Sequence, residues 1–270
     1  MLDALNFCFW GETPDPAERW KVDFRGRVYD GYWALAAALT RAVEEGRPLW
    51  DHRYLLELTA GELGEILRPA PGAPGIPLFE ARLANLHELG RGLQVWEASA
   101  AGEAPVATFI SAADRSAVRL VRSVVEAFPS FDDVAIYQGQ EVRFYKRAQI
   151  LVADLAGAFD DSSLGGFDDL DELTAFADYK VPQVLRRLGL LVYDQDLAAR
   201  IDRYELLPAR SPAEIEIRAA TIWACEELRR ALTVRGHALR AFEVDWALWT
   251  AGQDLPPGIH PYHRTRTIYY

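Results

Sequence analysis

The sequence predicts a mostly α-helical fold with one small β-hairpin. Apolar residues recur at helical spacing in most segments, capping residues bracket several of them, and one stretch alternates around a glycine turn. The 270 residues include 19 Gly and 15 Pro and are 50% hydrophobic, which excludes collagen-like and disordered chains. Because no internal repeat divides the chain, we predict one domain over residues 1–270, with the Pro-rich connector 69–77 as the one candidate boundary.

Helix signals in the first part of the chain are capping residues and glycines. The Ala-rich residues 32–45 predict a helix that ends at Gly46. Thr59 and Glu62 have the spacing of a capping box and predict a short helix that stops before Pro69. Helical patterns predict four further helices, over residues 78–96, 115–128, 146–158 and 170–177.

One segment has the pattern of strands instead. Residues 133–145 alternate around Gln138-Gly139-Gln140, which predicts a β-hairpin with these three residues as its turn. Residues 160–166 predict a loop.

Prolines mark the helix starts in the last third of the chain. Pro182 disfavours α-helical geometry at Val181 and predicts a short helix that Gly189 ends. Ser211 followed by Pro212 is a strong helix start. The two long helices that follow are predicted over residues 212–233 and 238–250.

Charge and cysteine content limit the partners. The 29 Lys and Arg against 40 Asp and Glu give a net charge of −11, which opposes binding to duplex nucleic acid. We expect a small-molecule ligand, no direct nucleic-acid partner and no membrane partner, since no apolar run reaches the ~20 residues of a membrane span. Two Cys without a CxxC pattern, and an N-terminus without a basic region, favour a cytoplasmic protein that uses no metal and no cofactor.

Asp245 is the first candidate catalytic residue. It lies in a predicted helix among Phe242, Trp246 and Trp249, and it shares a helix face with Trp249. A carboxylate on an aromatic face is costly unless it is paired or used in chemistry. It is therefore either half-exposed at the helix edge or aimed into an aromatic pocket.

Asp178 and Lys146 are further candidates. Asp178 precedes the helix of Pro182, so it is either a plain capping carboxylate or a functional group with Tyr179 and Lys180 beside it. Lys146 is one of three lysines in an Arg-rich chain, and it opens a predicted helix, where the helix dipole disfavours a cation. Such a conflict is expected at functional sites, although a solvated Lys would give the same pattern.

The two ends of the sequence also carry candidates. The tail HPYHRTRTIYY contains His263 and Arg264 with two threonines, and Arg with hydroxyl groups suits a phosphate. The alternative is a tail that packs its tyrosines on the body of the protein. Phe7 and Phe9 fit a hydrophobic core, or a stacking surface for a planar base.

Six long and uncommon segments stand out: ALNFCFW, YKRAQILVADL, FADYKVPQVLRRLG, SPAEIEIRAATI, VDWALW and HRTRTIYY. Together they resemble the queuosine salvage protein family, over about Leu5 to Tyr270. The resemblance implies a fold similar to the helix-hairpin-helix DNA glycosylases, in which Val-Asp at a helix start supplies the catalytic carboxylate. Val244-Asp245 matches that pattern.

The resemblance implies an N-glycosidase that hydrolyses queuosine 5′-monophosphate and releases queuine for reuse in tRNA modification. Asp245 and Asp178 are then the candidate catalytic residues. The candidate substrate-binding residues are Lys146, Phe7, Phe9, Tyr179, Lys180, Trp246, Trp249, His263, Arg264 and Tyr270. Two other functions stay open: a non-catalytic protein that binds a modified base or nucleotide, and a DNA glycosylase, which rests on fold analogy alone and is disfavoured by the charge.

Overall fold

The computed structural model describes residues 1–159, 164–253, 255–256 and 258–270. Within these ranges the protein is mostly helical, with eleven α-helices and two antiparallel hairpins. The predicted mostly α-helical class is confirmed, and a second hairpin accompanies the predicted one. Of the loop predicted over residues 160–166, residues 160–163 lie outside the described ranges.

The chain divides into two compact units. The first comprises residues 1–112, 124–131 and 269, and the second comprises residues 113–123, 132–268 and 270. The connector 69–77 lies inside the first unit, so it does not separate the two. The single domain over residues 1–270 stays a prediction.

The first unit contains a hairpin that the sequence analysis missed. Strands β1 (Lys21–Phe24) and β2 (Arg27–Asp30) pair around Arg25 and Gly26, whose φ angles are 52° and 75°. A two-residue turn of this kind matches the twist of the strands, but its usual signal is Asn-Gly or Asp-Gly rather than Arg-Gly. The helices of this unit are α1 (Gly31–Glu44), α2 (His52–Glu57), α3 (Ala60–Ile66), α4 (Phe79–Glu97) and α5 (Pro105–Ser111).

Helix ends in the first unit follow the predicted caps. The Glu62 N–H donates to Thr59 Oγ1 at 3.2 Å and the Thr59 N–H donates to Glu62 Oε2 at 2.9 Å, which confirms the capping box of α3. The helices predicted over residues 32–45 and 78–96 are α1 and α4, each within one residue at both ends. Helix α6 (Ala117–Ala127) contributes residues to both units.

The second unit contains the predicted hairpin. Strands β3 (Val134–Tyr137) and β4 (Gln140–Arg143) pair with Tyr137 opposite Gln140, so the turn is Gln138-Gly139 alone, one residue shorter than predicted. The helices that follow are α7 (Lys146–Phe159), α8 (Lys180–Arg187), α9 (Gln195–Asp202), α10 (Pro212–Val234) and α11 (Ala241–Ala251).

Helices α8, α10 and α11 share one apolar core, which includes Val181, Cys225 and Val244. The predicted start of α10 is confirmed, because Pro212 is its first residue and Ser211 Oγ accepts from the Glu214 N–H at 3.4 Å. Helix α11 begins at residue 241 rather than at the predicted 238. The Glu243 side chain in its first turn caps the helix, because it accepts a hydrogen bond from the Arg240 N–H.

The helix predicted over residues 170–177 is wrong. A single 3₁₀ turn forms at Leu170–Glu172, and residues 173–178 form neither helix nor strand. Side chains from three helices bind the backbone groups that a helix would have paired internally. Gln149 Oε1 accepts from the Thr174 N–H, Asp245 Oδ2 accepts from the Phe176 N–H, and Arg218 Nε donates to the Ala177 carbonyl.

The prediction that Val181 lies outside a helix is also wrong. Helix α8 begins at Lys180, so Val181 is helical and Pro182 is the third helical residue. Backbone N–H groups in a first helical turn have no intrahelical partner, so the missing N–H of proline removes no bond. Gly189 ends the helix as predicted, with a φ of 71°.

Candidate active site

Asp245 is buried on helix α11 and is 3% exposed. Its Oδ2 accepts a hydrogen bond from the Phe176 N–H at 3.0 Å. Its helix neighbours Val244 and Leu248 belong to the apolar core shared with α8 and α10. The half-exposed alternative is therefore excluded, and the carboxyl group stands in an environment where a charge is costly.

Asp178 lies at the start of helix α8 and is 7% exposed. Its Oδ1 accepts from the N–H groups of Lys180 and Val181, each at 2.8 Å. The capping role is thus present, but the burial of the side chain distinguishes it from a cap on the surface. The positive end of the helix favours the ionised carboxylate at this position.

Lys146 is the first residue of helix α7 and is 5% exposed, so a solvated lysine is excluded. Its backbone N–H donates to Asp133 Oδ2 at 3.5 Å. The charge of Lys146 lowers the pKa of both Asp178 and Asp245, so its ammonium interacts electrostatically with both carboxyl groups. The structure therefore brings the three leading candidates together.

The two carboxyl groups influence each other. Burial raises the pKa of Asp245 well above its usual value, and the charge of Asp178 raises it further. Burial also raises the pKa of Asp178, and Lys146 partly offsets this effect. Burial and the charges of the two carboxylates also raise the pKa of the Cys225 thiol. Such coupled groups share protons, so one carboxyl group of the pair can be protonated while the other is ionised.

Aromatic rings surround this part of α11. The ring of Phe242 stacks on that of Phe176, with centroids 6.4 Å apart, and meets the edge of Trp246 at 5.1 Å. Trp246 is 36% exposed, whereas Trp249 is half-buried against the core of α8, α10 and α11. An aromatic pocket at the Asp245 carboxyl group stays a prediction.

Tyr179 and Lys180 form a second group with Tyr262, which the sequence analysis did not single out. The rings of Tyr179 and Tyr262 lie 4.8 Å apart, and Lys180 Nζ lies 5.9 Å from the Tyr262 ring. Lys180 Nζ also donates to the Gly252 carbonyl at 3.0 Å and so joins α8 to the end of α11.

The tail candidates His263, Arg264 and Tyr270 are buried in the second unit, as are Thr265 and Thr267. His263 Nε2 lies 3.4 Å from Tyr270 Oη, which donates to Glu214 at 2.8 Å. The Arg264 carbonyl accepts from the Leu207 N–H at 2.9 Å. Burial, with the charge of Arg218, lowers the pKa of His263 to about 3, so its imidazole is neutral at neutral pH.

A family model described as Queuosine salvage protein matches residues 1–270. The chain belongs to the queuosine salvage protein family. It is similar to three proteins that are each named Queuosine 5′-phosphate N-glycosylase/hydrolase. The identity is 58% over 270 residues to the protein of Sphaerobacter thermophilus, 36% over 283 residues to that of Bos taurus and 32% over 289 residues to that of Schizosaccharomyces pombe. Each alignment covers 100% of this chain, and 80%, 80% and 81% of the respective relatives.

The segments that resemble the queuosine salvage family supply the site. Lys146 comes from YKRAQILVADL, Asp178 from FADYKVPQVLRRLG and Asp245 from VDWALW. These segments are far apart in sequence, yet all three residues belong to the second unit and their charges influence one another.

Phe7 and Phe9 belong to the first unit and are 1% and 7% exposed. The guanidinium of Arg82 lies 4.2 Å from the Phe7 ring centroid and 5.6 Å from that of Phe9. Both rings therefore pack in the interior of their own unit, and their contact with a substrate of this family stays a prediction.

Sequence reasoning missed Arg218, which is buried on α10 in this family member. Its guanidinium pairs with Asp133 and with Glu214, and it lies between the rings of Phe144 and Tyr270 at 3.9 and 4.4 Å. One signal could have indicated it: Glu214 and Arg218 are four residues apart in an apolar stretch, which is the spacing of a helical ion pair.

Two further properties bear on the function of this queuosine salvage protein. Within the described ranges, no three His, Cys, Asp or Glu side chains come together as a metal site. None of the described helices combines the length and the apolar character of a membrane span.

Acid should destabilise the protein partly through His263. Because the pKa falls from 6.5 to about 3 on folding, the stability that this group contributes is fully present above pH 6.5 and is lost as the pH falls towards 3. As the pH falls from about 6 to 4, we expect the free energy of unfolding to fall more steeply in the wild type than in His263→Gln. The two slopes should differ by up to ~1.4 kcal/mol per pH unit. Urea unfolding at several pH values measures both slopes, and parallel slopes would contradict the assignment.

Proposed function

We propose that the protein hydrolyses the N-glycosidic bond of queuosine 5′-phosphate and releases queuine. The relatives named above carry that substrate and reaction in their names. The observation that carries the proposal is the buried pair of Asp178 and Asp245 beside Lys146. Charged groups held in a water-poor site act strongly on charge that develops during a reaction.

The reaction builds positive charge on the ribose as the bond from C1′ to the base breaks, much as in glycoside hydrolysis. We assign the stabilisation of this charge to the pair of Asp178 and Asp245, in which Asp245 is a carboxylate once the shared proton has left with the base. The bonding electrons leave with the base, and a proton held by the pair of Asp178 and Asp245 goes with them. Water then bonds to C1′ and returns a proton to the pair, which restores the starting state.

The leaving group explains the need for two carboxyl groups. Queuine is a 7-deazaguanine, so it has no N7 to accept the proton that ordinary purines take there. A donor near another atom of the ring system must act instead, and the raised pKa values of Asp178 and Asp245 favour a pair that holds a proton. The side-chain amine of queuine is cationic and suits an acidic partner such as Asp178.

The remaining substrate groups fit other candidates of the second unit. We assign the 5′-phosphate to the tail, with Arg264 as its cation and neutral His263 as a hydrogen-bonding group. The base is assigned to the aromatic and cationic side chains near α8 and α11, which are Tyr179, Lys180, Trp246 and Trp249. We place the reaction in the cytoplasm, on a free nucleotide, without a nucleic-acid or membrane partner, in keeping with the charge of −11.

Incubation with queuosine 5′-phosphate and chromatographic detection of free queuine tests the proposal. Release of the base with turnover supports hydrolysis, whereas stoichiometric binding without release would favour a non-catalytic binding protein. A helix-hairpin-helix architecture would relate the protein to DNA glycosylases, and a labelled duplex at low salt tests that alternative. We expect no duplex binding because the net charge opposes it.

Activity should persist in EDTA. A carboxylate stabilises a ribose cation without a metal ion, and the candidate site is formed by two carboxyl groups and one ammonium. Initial rates with and without the chelator measure this. Complete loss of activity that a divalent ion restores would contradict the mechanism.

A further inference from the structure

We infer that Arg218 is a positioning residue that holds Asp178 and Lys146 in place relative to each other. The inference rests on the proposed function, since these two residues belong to the proposed catalytic site. Arg218 lies on α10, is 2% exposed, and donates to Ala177, which precedes Asp178, and to Asp133, which accepts from the Lys146 N–H.

The first contact is on the side of Asp178. Residues 173–178 form neither helix nor strand, so side chains from outside the segment fix its path. Arg218 Nε donates to the carbonyl of Ala177 at 3.0 Å, and Ala177 directly precedes Asp178. Without this bond, the residue before the carboxylate loses its connection to α10.

The second contact is on the side of Lys146. Arg218 Nη1 donates to Asp133 Oδ1 at 3.0 Å, and its Nη2 forms an ion pair with the other oxygen of that carboxylate. The Asp133 carbonyl accepts from the N–H groups of Phe144 and Tyr145, and its Oδ2 accepts from the Lys146 N–H at 3.5 Å. Asp133 therefore fixes the start of α7, and one guanidinium connects this helix start to the segment that carries Asp178.

Arginine is suited to this task and lysine is not. The guanidinium donates in several directions from a rigid plane, and here the plane lies between the rings of Phe144 and Tyr270. An ammonium at the same place cannot bind the Ala177 carbonyl and both Asp133 oxygens with the same geometry. A buried ion pair adds little net stability, so a role in fixing geometry accounts for its presence better than a role in stability.

Glu214 provides a matched control. It is the other carboxylate partner of Arg218, at 3.4 Å, and is equally buried. It contacts neither the segment 173–178 nor the start of α7 through any bond described above. Loss of its charge therefore perturbs the same buried cluster but leaves the bonds from Arg218 to Ala177 and Asp133 in place.

The experiment compares Arg218→Lys and Asp133→Asn with Glu214→Gln, on the full chain. Since misplacement of reacting groups by 1 Å can cost ~10²-fold in rate, we expect kcat for Arg218→Lys and Asp133→Asn to fall by ~10-fold or more with a smaller change in KM. Glu214→Gln should lower the melting temperature but leave kcat for the nucleoside close to that of the wild type, because its contact with Tyr270 reaches only the tail to which the phosphate is assigned. Equal losses of kcat in all three variants would overturn the inference, and Asp133→Asn decides the matter if Arg218→Lys does not fold.

A titration supplies a measure that needs no turnover. The groups facing Asp178 and Asp245 are Lys146 on α7, Lys180 on α8 and Cys225 on α10, and Lys146 lowers the pKa of both carboxyl groups. If Lys146 is displaced, both pKa values rise, and ¹³C NMR of the carboxyl carbons should show this in Arg218→Lys and Asp133→Asn but not in Glu214→Gln. Unchanged titrations would overturn the positioning role, whereas shifted titrations in a protein that releases no queuine would overturn the proposed function alone.

Discussion

Asp245→Asn is expected to slow release of the base by at least ~10²-fold while the protein stays folded, because it removes the charge that stabilises the ribose cation. The amide is nearly the same size, and its oxygen can still accept from the Phe176 N–H that Asp245 Oδ2 binds at 3.0 Å. The segment 173–178 therefore keeps its contact with α11. The loss should appear mainly in kcat, since the interaction strengthens only in the transition state.

The same substitution should not reduce stability. Burial and the charge of Asp178 both disfavour the Asp245 carboxylate, so a neutral side chain removes an unfavourable charge from the folded state. We expect a melting temperature equal to or above that of the wild type at pH 7 and higher, where the unfolded state carries the ionised Asp. Activity and stability would then change in opposite directions, as is common for groups that serve a reaction.

Asp196→Asn is a matched control, because it makes the same chemical change at an exposed residue of α9. It should leave turnover and melting temperature close to those of the wild type. Turnover of Asp245→Asn at the native rate, in a protein that melts normally, would remove Asp245 from the mechanism.

Local signals predicted those elements whose bonding partners are close in sequence. The capping box of Thr59 and Glu62 and the start of α10 at Ser211 each depend on residues three positions apart. The two-residue turn of the β3–β4 hairpin likewise depends on Gly139. In these places the sequence contains the whole interaction, and the predicted element is present.

The segment 173–178 could not be predicted in the same way. Its backbone groups bind side chains that lie 25, 69 and 41 residues away, from Gln149, Asp245 and Arg218. The conformation of this segment therefore depends on partners distant in sequence, which its own helical pattern does not indicate. Asp245 and Lys146 were found because each conflicts with its own surroundings, but Arg218 forms an ordinary helical ion pair and gave no such conflict.

Removal of Arg264 is expected to reduce the preference for the nucleotide over the nucleoside. A charge-assisted hydrogen bond to phosphate contributes roughly 1.5–3 kcal/mol, so two such bonds would give a preference of ~10²-fold or more, and the loss of one would reduce it by ~10-fold or more. Arg264→Ala should therefore slow hydrolysis of the 5′-phosphate far more than hydrolysis of the nucleoside. Part of the loss should appear in kcat, because binding energy from the phosphate can be used at the ribose.

Lys146 is expected to behave differently. The sequence predicted it as a substrate-binding residue, but its charge acts on Asp178 and Asp245, whose pKa values it lowers. Lys146→Met should therefore raise the pKa values of the carboxyl pair. It should also slow hydrolysis of the nucleotide and of the nucleoside by similar factors. If this variant prefers the nucleotide as strongly as the wild type does, Lys146 has a different role from Arg264.

The decisive quantity is kcat/KM for the nucleotide divided by kcat/KM for the nucleoside. Both values come from one preparation, so any loss of folded protein affects them equally and cancels in the ratio. Arg186→Ala is the control for removal of an arginine from the same unit, since Arg186 pairs with Asp202 and has no proposed contact with substrate. Its ratio should match that of the wild type even if its stability falls. If Arg264→Ala kept the wild-type ratio and slowed both substrates together, the phosphate would have to be bound elsewhere, and the buried tail would serve to pack the second unit.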